Sequence, residues 1–396
     1  MPVVSMPCDF QSPLSLYLHI PFCITRCTYC AFNTYANFGH LLQPLVAMLA
    51  KEMGIAAKHN PYCRVGTIYF GGGTPSLLTP AQLVHLIAVI RQNFNVTEDA
   101  EITTEANPND LDQEYLQGIR QAGINRLSIG MQSANRNELD LFARRHYHDS
   151  VTRAVQAARA VGFQNLNLDL IYGFPLQTLA SWQNSLNQAM ALNPEHLSLY
   201  ALGLEPDTAL YTWIQKGQLP APDDDLAADM YDLATAKLEQ HGYIQYEISN
   251  WAKAGYECRH NLQYWHNLPY LGFGPGAHGF AGGIRYATIS SPQQYIQALQ
   301  NQDRDFDFPY TPTTDVAVKV DRETEITETL MMSLRLTRDG VARDAFQQRF
   351  GVDVLDLHGA MLERFARQGL LEIQSNRIRF TQRGRLLGNI VFRELV

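Results

Sequence analysis

The sequence predicts an α/β fold, a partial (β/α)6 barrel followed by a small helical module. Short apolar runs alternate with longer amphipathic stretches from residue 15 to about 250, as in a parallel sheet covered by helices. That periodicity is shared by an open doubly wound sheet. The deciding observation is where the polar motifs fall. Gly-Gly-Gly-Thr-Pro follows the second strand, and Glu105, Gln132 and Asp169 stand at or just beyond the ends of the next three. Polar residues collected at successive strand C-terminal ends are the signature of a barrel active site.

In chain order, strands are expected at SLYLHI (15–20), TIYF (67–70), EITTE (101–105), RLSIG (126–130), NLNLDL (165–170) and HLSLYAL (196–202). Helices are expected over 80–93, 110–122, 150–161 and 178–192. Thr79-Pro80 supplies a capping hydroxyl and a first-turn proline, and Pro108-Asn109-Asp110 is read as a similar start. Asp223, Asp224 and Asp225 precede a helical run over 226–241, where their charges suit a helix N-terminus. The stretch 303–315, with Pro309 and Pro312 among polar residues, reads as a linker closing a barrel domain of residues 1–302. Beyond it, helical patterns at 323–334, 342–350 and 353–368 precede LLEIQSNRIRFT, a strand–turn–strand pattern. Residues 316–396 are therefore expected to form a winged-helix-like domain.

Composition narrows the function. Lys plus Arg is 31 against 39 for Asp plus Glu, a net charge of −8, which disfavours a broad grip on nucleic acid. Arg377, Arg379, Arg383 and Arg385 near the C-terminus could form a basic wing on nucleic acid, a reading the acidic balance of the whole chain disfavours. No apolar run is long enough for a membrane span, and MPVVSMPCDFQSP lacks the pattern of a signal peptide, so the expected location is the cytoplasm. Three of the six cysteines, Cys23, Cys27 and Cys30, lie within eight residues. That spacing points to metal chemistry in a reducing compartment and not to a disulfide framework.

The cysteine run HIPFCITRCTYC has C-x-x-x-C-x-x-C spacing directly after the first strand. Three thiolates on one loop can hold three irons of a [4Fe-4S] cube and leave the fourth open to a small ligand. Zinc with His19 or a later residue as fourth ligand is the rival, although zinc sites more often use paired C-x-x-C units. This spacing, with Tyr29 just before the last cysteine, resembles the radical S-adenosylmethionine (SAM) superfamily. The remaining motifs resemble its family of oxygen-independent coproporphyrinogen III oxidases and related heme chaperones, from about Leu14 to the C-terminus.

The resemblance implies a radical-SAM-type barrel in which the amine and carboxylate of SAM chelate the open iron. It also implies the contacts. Gly72, Gly73 and Thr74 in GGGTP match the motif at the methionine end; glycines there let the backbone approach a ligand closely. Tyr17 is expected to line the adenosyl pocket and Tyr29 to pack beside the adenine. Glu105, Gln132, Arg144 and Asp169 match the polar contacts. Carboxylates can accept from ribose hydroxyls or the amine, and an arginine can pair with the methionine carboxylate.

Two features separate oxidase from chaperone. The oxidase pattern has another cysteine two residues after the third, where this chain has Phe32, and a longer N-terminal segment than is expected here. In addition, His260, Asn261, Tyr264 and Trp265 form H-N-x-x-Y-W, a motif the resemblance associates with heme binding by the chaperone branch. An imidazole can ligate heme iron and nearby aromatics can face the macrocycle. His266, His278 and Cys258 are rival ligands. The implied function is transfer of heme to an acceptor protein, with an electron donor for the cluster. The alternative is SAM-dependent oxidative decarboxylation of coproporphyrinogen III.

Overall fold

A computed structural model describes residues 13–58, 63–300 and 305–395. Residues 1–12, with Cys8, lie outside these residues, as do 303–304 at the head of the expected linker. By compactness the chain divides into two units, Met1–Met230 with Pro269–Lys319, and Tyr231–Leu268 with Val320–Val396.

The first unit is built on parallel strands β1 (Leu14–Ile20), β2 (Arg64–Gly72), β3 (Asn95–Ala106), β4 (Arg126–Gln132), β5 (Leu166–Tyr172) and β6 (His196–Ala201). They lie side by side in sequence order. A doubly wound sheet would reverse direction partway. Strands that advance one way, with right-handed crossovers, place every connecting helix on one face and curl the sheet about the other. This is the barrel alternative.

The side-chain alternation agrees. Leu16 and Leu18, Ile68 and Phe70, Leu127 and Ile129, Leu168 and Leu170, and Leu197 and Leu199 are buried on one face. The intervening residues are polar: Ser15, Thr67, Thr103, Glu105, Ser128, Asn167, Asp169, His196 and Ser198. Because successive strand side chains point to opposite faces, the apolar set meets the helices and the polar set lines the concave side. The register aligns Glu105 with Ser128, Ser128 with Asn167, and Asn167 with His196.

The connecting helices are α1 (Leu42–Ala57), α2 (Pro80–Asn93), α3 (Gln113–Ala122), α4 (His148–Ala160) and α5 (Leu179–Ala191). Thr79 closes a capping box with Gln82, as its spacing predicts. Pro108 does not start α3. Residues Pro108–Asp110 form a single 3-10 turn, and the helix begins after Asp112, whose carboxylate accepts from Tyr115 N at 2.8 Å. The Asp223 carboxylate accepts from Leu226 N at 3.0 Å and caps the helix Asp224–Gln240.

Four further strands extend the sheet beyond β1: β7 (Tyr270–Phe273), β8 (His278–Ala281), β9 (Ile284–Thr288) and β10 (Thr314–Lys319). Only β7 is parallel to its neighbour β1. The G-F-G-P-G run is the tight turn between β7 and β8, with Gly274 at φ +98° and Gly276 at φ +79°. Residues 305–315, part of the expected linker, lie in this unit, and Thr311 and Thr313 are buried with their hydroxyls on the Glu52 carboxylate.

The second unit contains helices Arg322–Ser333, Arg343–Phe350 and Val354–Arg367 and a three-stranded antiparallel sheet of Val341–Ala342, Arg377–Phe380 and Leu371–Ile373. Leu330, Leu362, Phe365, Ile378 and Val391 form its core. The short antiparallel strands Ile244–Glu247 and Asn250–Ala252 and the helix Arg259–Trp265 belong to it as well.

Candidate functional site

The cysteine loop leaves β1 at Ile20 and is fastened on both sides. Gly73 N donates to Ile20 O at 2.8 Å, Thr28 Oγ1 donates to Leu141 O at 2.8 Å, and Cys30 N closes a turn on Cys27 O at 3.2 Å. His19, buried at the strand end, joins Tyr17 Oη (2.8 Å) to the carbonyl of Asn33 (3.0 Å), and the Asn33 amide donates to Pro275 O at 2.9 Å. The turn after β7 therefore braces the loop. A side chain at Gly274 would come within 2.4 Å of His19 O, which is why only glycine serves there.

This loop and the strand ends enclose a cavity of about 500 Å³. It is lined by all three cysteines, Tyr29, Gly72, Gly73, Thr74, Glu105, Gln132, Arg144 and Asp169. Two expected residues do not line it. Tyr17 stacks on Tyr69, ring centroids 6.2 Å apart, and it is Tyr69 that reaches the cavity. His260 belongs to the second unit.

Each lining group has a cause. At Gly73 a Cβ would lie 2.7 Å from Phe22 O and 3.0 Å from Cys23 Sγ; at Gly72, with φ +114°, it would strike the His19 ring at 2.6 Å. The run is glycine because the strand end passes directly over the loop. Gly72 N donates to Glu105 Oε2 (3.1 Å) and Tyr69 Oη to Oε1 (2.9 Å). Burial and the nearby Asp169 push the Glu105 carboxyl up to about 7, against these bonds. Gln132 sits at φ +62°, a left-handed backbone unusual for a side chain of its size. Tyr29 packs edge-on against Phe142 at 4.8 Å, which in turn meets Phe174 at 4.6 Å.

Asp169 is held from below by residues the motif reading missed. Asn167 Nδ2 donates to its Oδ1 (2.8 Å) and Ser128 Oγ to its Oδ2 (3.0 Å). The Asn167 amide is itself oriented, because Oδ1 accepts from His196 Nδ1 (2.7 Å) and Ser198 Oγ (3.1 Å). Burial pushes the His196 imidazole well below its usual range, so it stays neutral. Burial raises Asp169 too, and the Asn167 and Ser128 bonds oppose that. Strand alternation was the available signal: 167, 196 and 198 share a face with 169 in the register.

Arg144 is the arginine committed to the site. Its Nη1 donates to Cys27 Sγ at 3.4 Å and Nη2 to Gly130 O at 3.0 Å, while its buried Nε–H has no partner among the described residues. Arg145 also lines the cavity and pairs with Asp110 at 3.2 Å. Thr74 Oγ1 donates to Cys23 Sγ at 3.4 Å. Cys63 is disulfide-bonded and Cys258 is buried in the second unit.

Among the described residues no three His, Cys, Asp or Glu side chains converge on a single ion. The donor set fits a polynuclear cluster, whose thiolates sit on separate irons. The glycine cradle and the unpartnered Arg144 Nε–H fit a ligand with an acidic end, and Glu105 and Asp169 fit its hydrogen-bond donors.

His260 is 1% exposed on the helix Arg259–Trp265. Its Nε2 shares a 2.9 Å hydrogen bond with Tyr264 Oη, and the two rings meet edge to face at 5.1 Å. The (i, i+4) spacing of one helical turn places them on the same face.

The sequence matches the Radical SAM superfamily over residues 17–189 and the HemN C-terminal domain over 320–387. It is 39% identical over 381 residues to heme chaperone HemW of Bacillus subtilis (strain 168), spanning 96% of this chain and 98% of that one. To heme chaperone HemW of Mycobacterium tuberculosis (strain ATCC 25618 / H37Rv) it is 38% identical over 393 residues, spanning 97% and 95%. The solved coproporphyrinogen III oxidase (HemN) from Escherichia coli, a radical SAM enzyme, superposes with a TM-score of 0.83 at 27% identity, over 97% of this chain and 90% of that one. With full-length relatives of this kind, the chain belongs to the HemW family of the radical SAM superfamily.

Proposed function

We propose that the chain is a cytoplasmic heme chaperone that holds a [4Fe-4S] cluster on Cys23, Cys27 and Cys30, binds SAM beside it, and passes heme to an acceptor protein. The observation that carries this reading is the convergence of the three thiols with Glu105, Arg144 and Asp169 in one cavity. Phe32, at the position of the oxidase's further cysteine, is 69% exposed on the lining of that cavity. When bound, a reduced cluster with SAM on its open iron supplies one-electron chemistry, fed by an electron donor.

The chain's own residues bind and orient. Arg144 offers its free N–H to the methionine carboxylate, with the backbone of Gly72, Gly73 and Thr74 alongside. Asp169 and Glu105 accept from the ribose hydroxyls or the amine, Gln132 adds a polar contact, and Tyr29 packs against the adenine. Tyr17 acts through Tyr69. His260, whose Nε2 meets Tyr264 Oη, is the residue that would hold heme iron. The C-terminal residues 316–396, read as a winged-helix-like module, dock the acceptor; nucleic acid has no part. No helix among the described residues is long and apolar enough to cross a membrane.

The likeness to an oxidase over nearly the whole chain favours one second reading, oxidative decarboxylation of coproporphyrinogen III. One experiment decides. Anaerobically reconstituted protein is given coproporphyrinogen III, SAM and a reductant, and the same sample is titrated with heme. Heme binding without porphyrinogen conversion supports the chaperone, and His260→Ala should alter the Soret band. Accumulation of protoporphyrinogen IX overturns it.

A further inference from the structure

The second unit contains a hollow of about 390 Å³ that the motifs do not account for. Its lining includes Arg338, Arg379 and Arg385, against one acidic residue, Glu239. In a chain of net charge −8 this is a local reversal of sign. The arginines come from separate places: the turn before the first strand of the C-terminal sheet, the strand Arg377–Phe380, and the helix Gln382–Leu386.

Two of them are anchored. Arg385 Nη1 donates to Gln245 Oε1 at 2.7 Å, and Gln245 is held by its Nε2 bonds to Tyr231 Oη and to Ile248 O at 3.1 Å. Arg379 Nε donates to Glu372 Oε2 at 2.9 Å. Arg338 is exposed. The telling detail is Arg385 Nε: its N–H is buried yet has no hydrogen-bond partner among the described residues. A buried guanidinium N–H left unpaired is costly, and a bound acceptor would relieve it. A fixed guanidinium fork matches a carboxylate or a phosphate in two-point geometry.

We propose that Arg338, Arg379 and Arg385 form an anion site in the second unit for a small molecule carrying a phosphate or carboxylate group. The hollow has small-ligand size, and a fork held by Gln245 is already oriented for such a group. The same chemistry has two sources, a free phosphate compound or the propionate groups of heme. Only the second depends on the heme reading above.

The full-length protein is titrated calorimetrically with inorganic phosphate in a zwitterionic buffer, and separately with heme and with heme dimethyl ester. Phosphate should bind at one saturable site, and Arg338→Gln and Arg385→Gln should each weaken it by about tenfold. Arg385→Lys, which keeps the charge and loses the fork, should weaken it comparably. Arg383→Gln, outside the hollow, should change nothing. If Arg385→Gln also weakens heme but not its dimethyl ester, the propionates occupy the site; if it weakens phosphate alone, a free phosphate compound does. Arg338 is exposed, so its variant should keep its fold even if Arg385→Gln does not. The proposal is overturned by non-saturable phosphate binding, or by phosphate and heme affinities that Arg338→Gln and the Arg385 variants leave at wild-type values.

Discussion

In the first unit, the groups with chemistry turn toward one space: the three thiols, Glu105, Asp169 and Arg144 are among the residues lining a single cavity. In the second, His260 turns inward and spends its Nε2 on the Tyr264 hydroxyl. Both regions contain a short motif, but the motifs differ in what supports them. The cysteine loop is tied down by Thr28, whose hydroxyl donates to Leu141 O and whose N–H donates to Phe142 O, and by the Asn33 amide on Pro275 O in the turn after β7. His260 is buried and shares its Nε2 bond with Tyr264, one turn further along the same short helix. A motif on a loop tied to separate elements presents its side chains to a common space, whereas a buried residue paired within its own helix turns away from one.

The largest effect expected from this difference is all or none. Cys23→Ala, Cys27→Ala or Cys30→Ala should abolish the iron and sulfide retained after anaerobic reconstitution, about four of each per chain for a cubane cluster. Cys258→Ala, in the second unit, should leave both unchanged. Zinc without sulfide in the wild-type protein would defeat the cluster assignment.

A second test uses two buried carboxylates with the same shift. Burial pushes both Glu105 and Glu247 up to about 7 from 4.5. In each the native state favours the protonated form. The stability this contributes is complete below about pH 4.5 and is lost as pH rises through about 7. Either glutamine variant should flatten the pH dependence of the unfolding free energy by about 2–3 kcal/mol between roughly pH 5 and 8. Only Glu105→Gln should also change the affinity for SAM. Equal effects on SAM from both variants would erase the contrast between the units.

Asn167→Asp sharpens the comparison within the barrel. It replaces the donor under Asp169 by an acceptor, and SAM binding should weaken by about 2 kcal/mol with cluster content intact. Ser128→Thr keeps a hydroxyl and should be milder than Ser128→Ala. An unchanged SAM dissociation constant in Asn167→Asp would mean that Asp169 does not meet the ligand. The smallest effect belongs to Tyr264→Phe, which should cost about 1 kcal/mol in chemical unfolding. If His260 is the heme ligand, the same variant should raise heme affinity by removing the bond that Tyr264 Oη makes to Nε2; a fall in affinity would assign Tyr264 a direct part.

The legible parts of this molecule are those whose physics is local. C-x-x-x-C-x-x-C spacing places three thiols on one loop whatever surrounds it, and apolar–polar alternation set five of the six strands within three residues of their observed ends, while β3 begins at Asn95, six residues before its expected start. Glu105 and Asp169 were readable because a strand end has a defined face. The extra strands beyond β1 escaped notice because Tyr270–Phe273 and Thr314–Lys319 are short and pair only through distant chain.

Sequence alone therefore determined the donor set, the barrel strands and the polar face on which the cavity would open. Tertiary structure decided which neighbours each group would meet. It set Tyr69 and not Tyr17 at the cavity wall, put Asn167 and His196 beneath Asp169, and brought Arg338, Arg379 and Arg385 to one hollow. The reason lies in what each kind of information specifies. Local spacing sets the direction of a side chain from its own backbone, whereas a hydrogen-bond partner or an open volume depends on other strands and helices that only packing brings together.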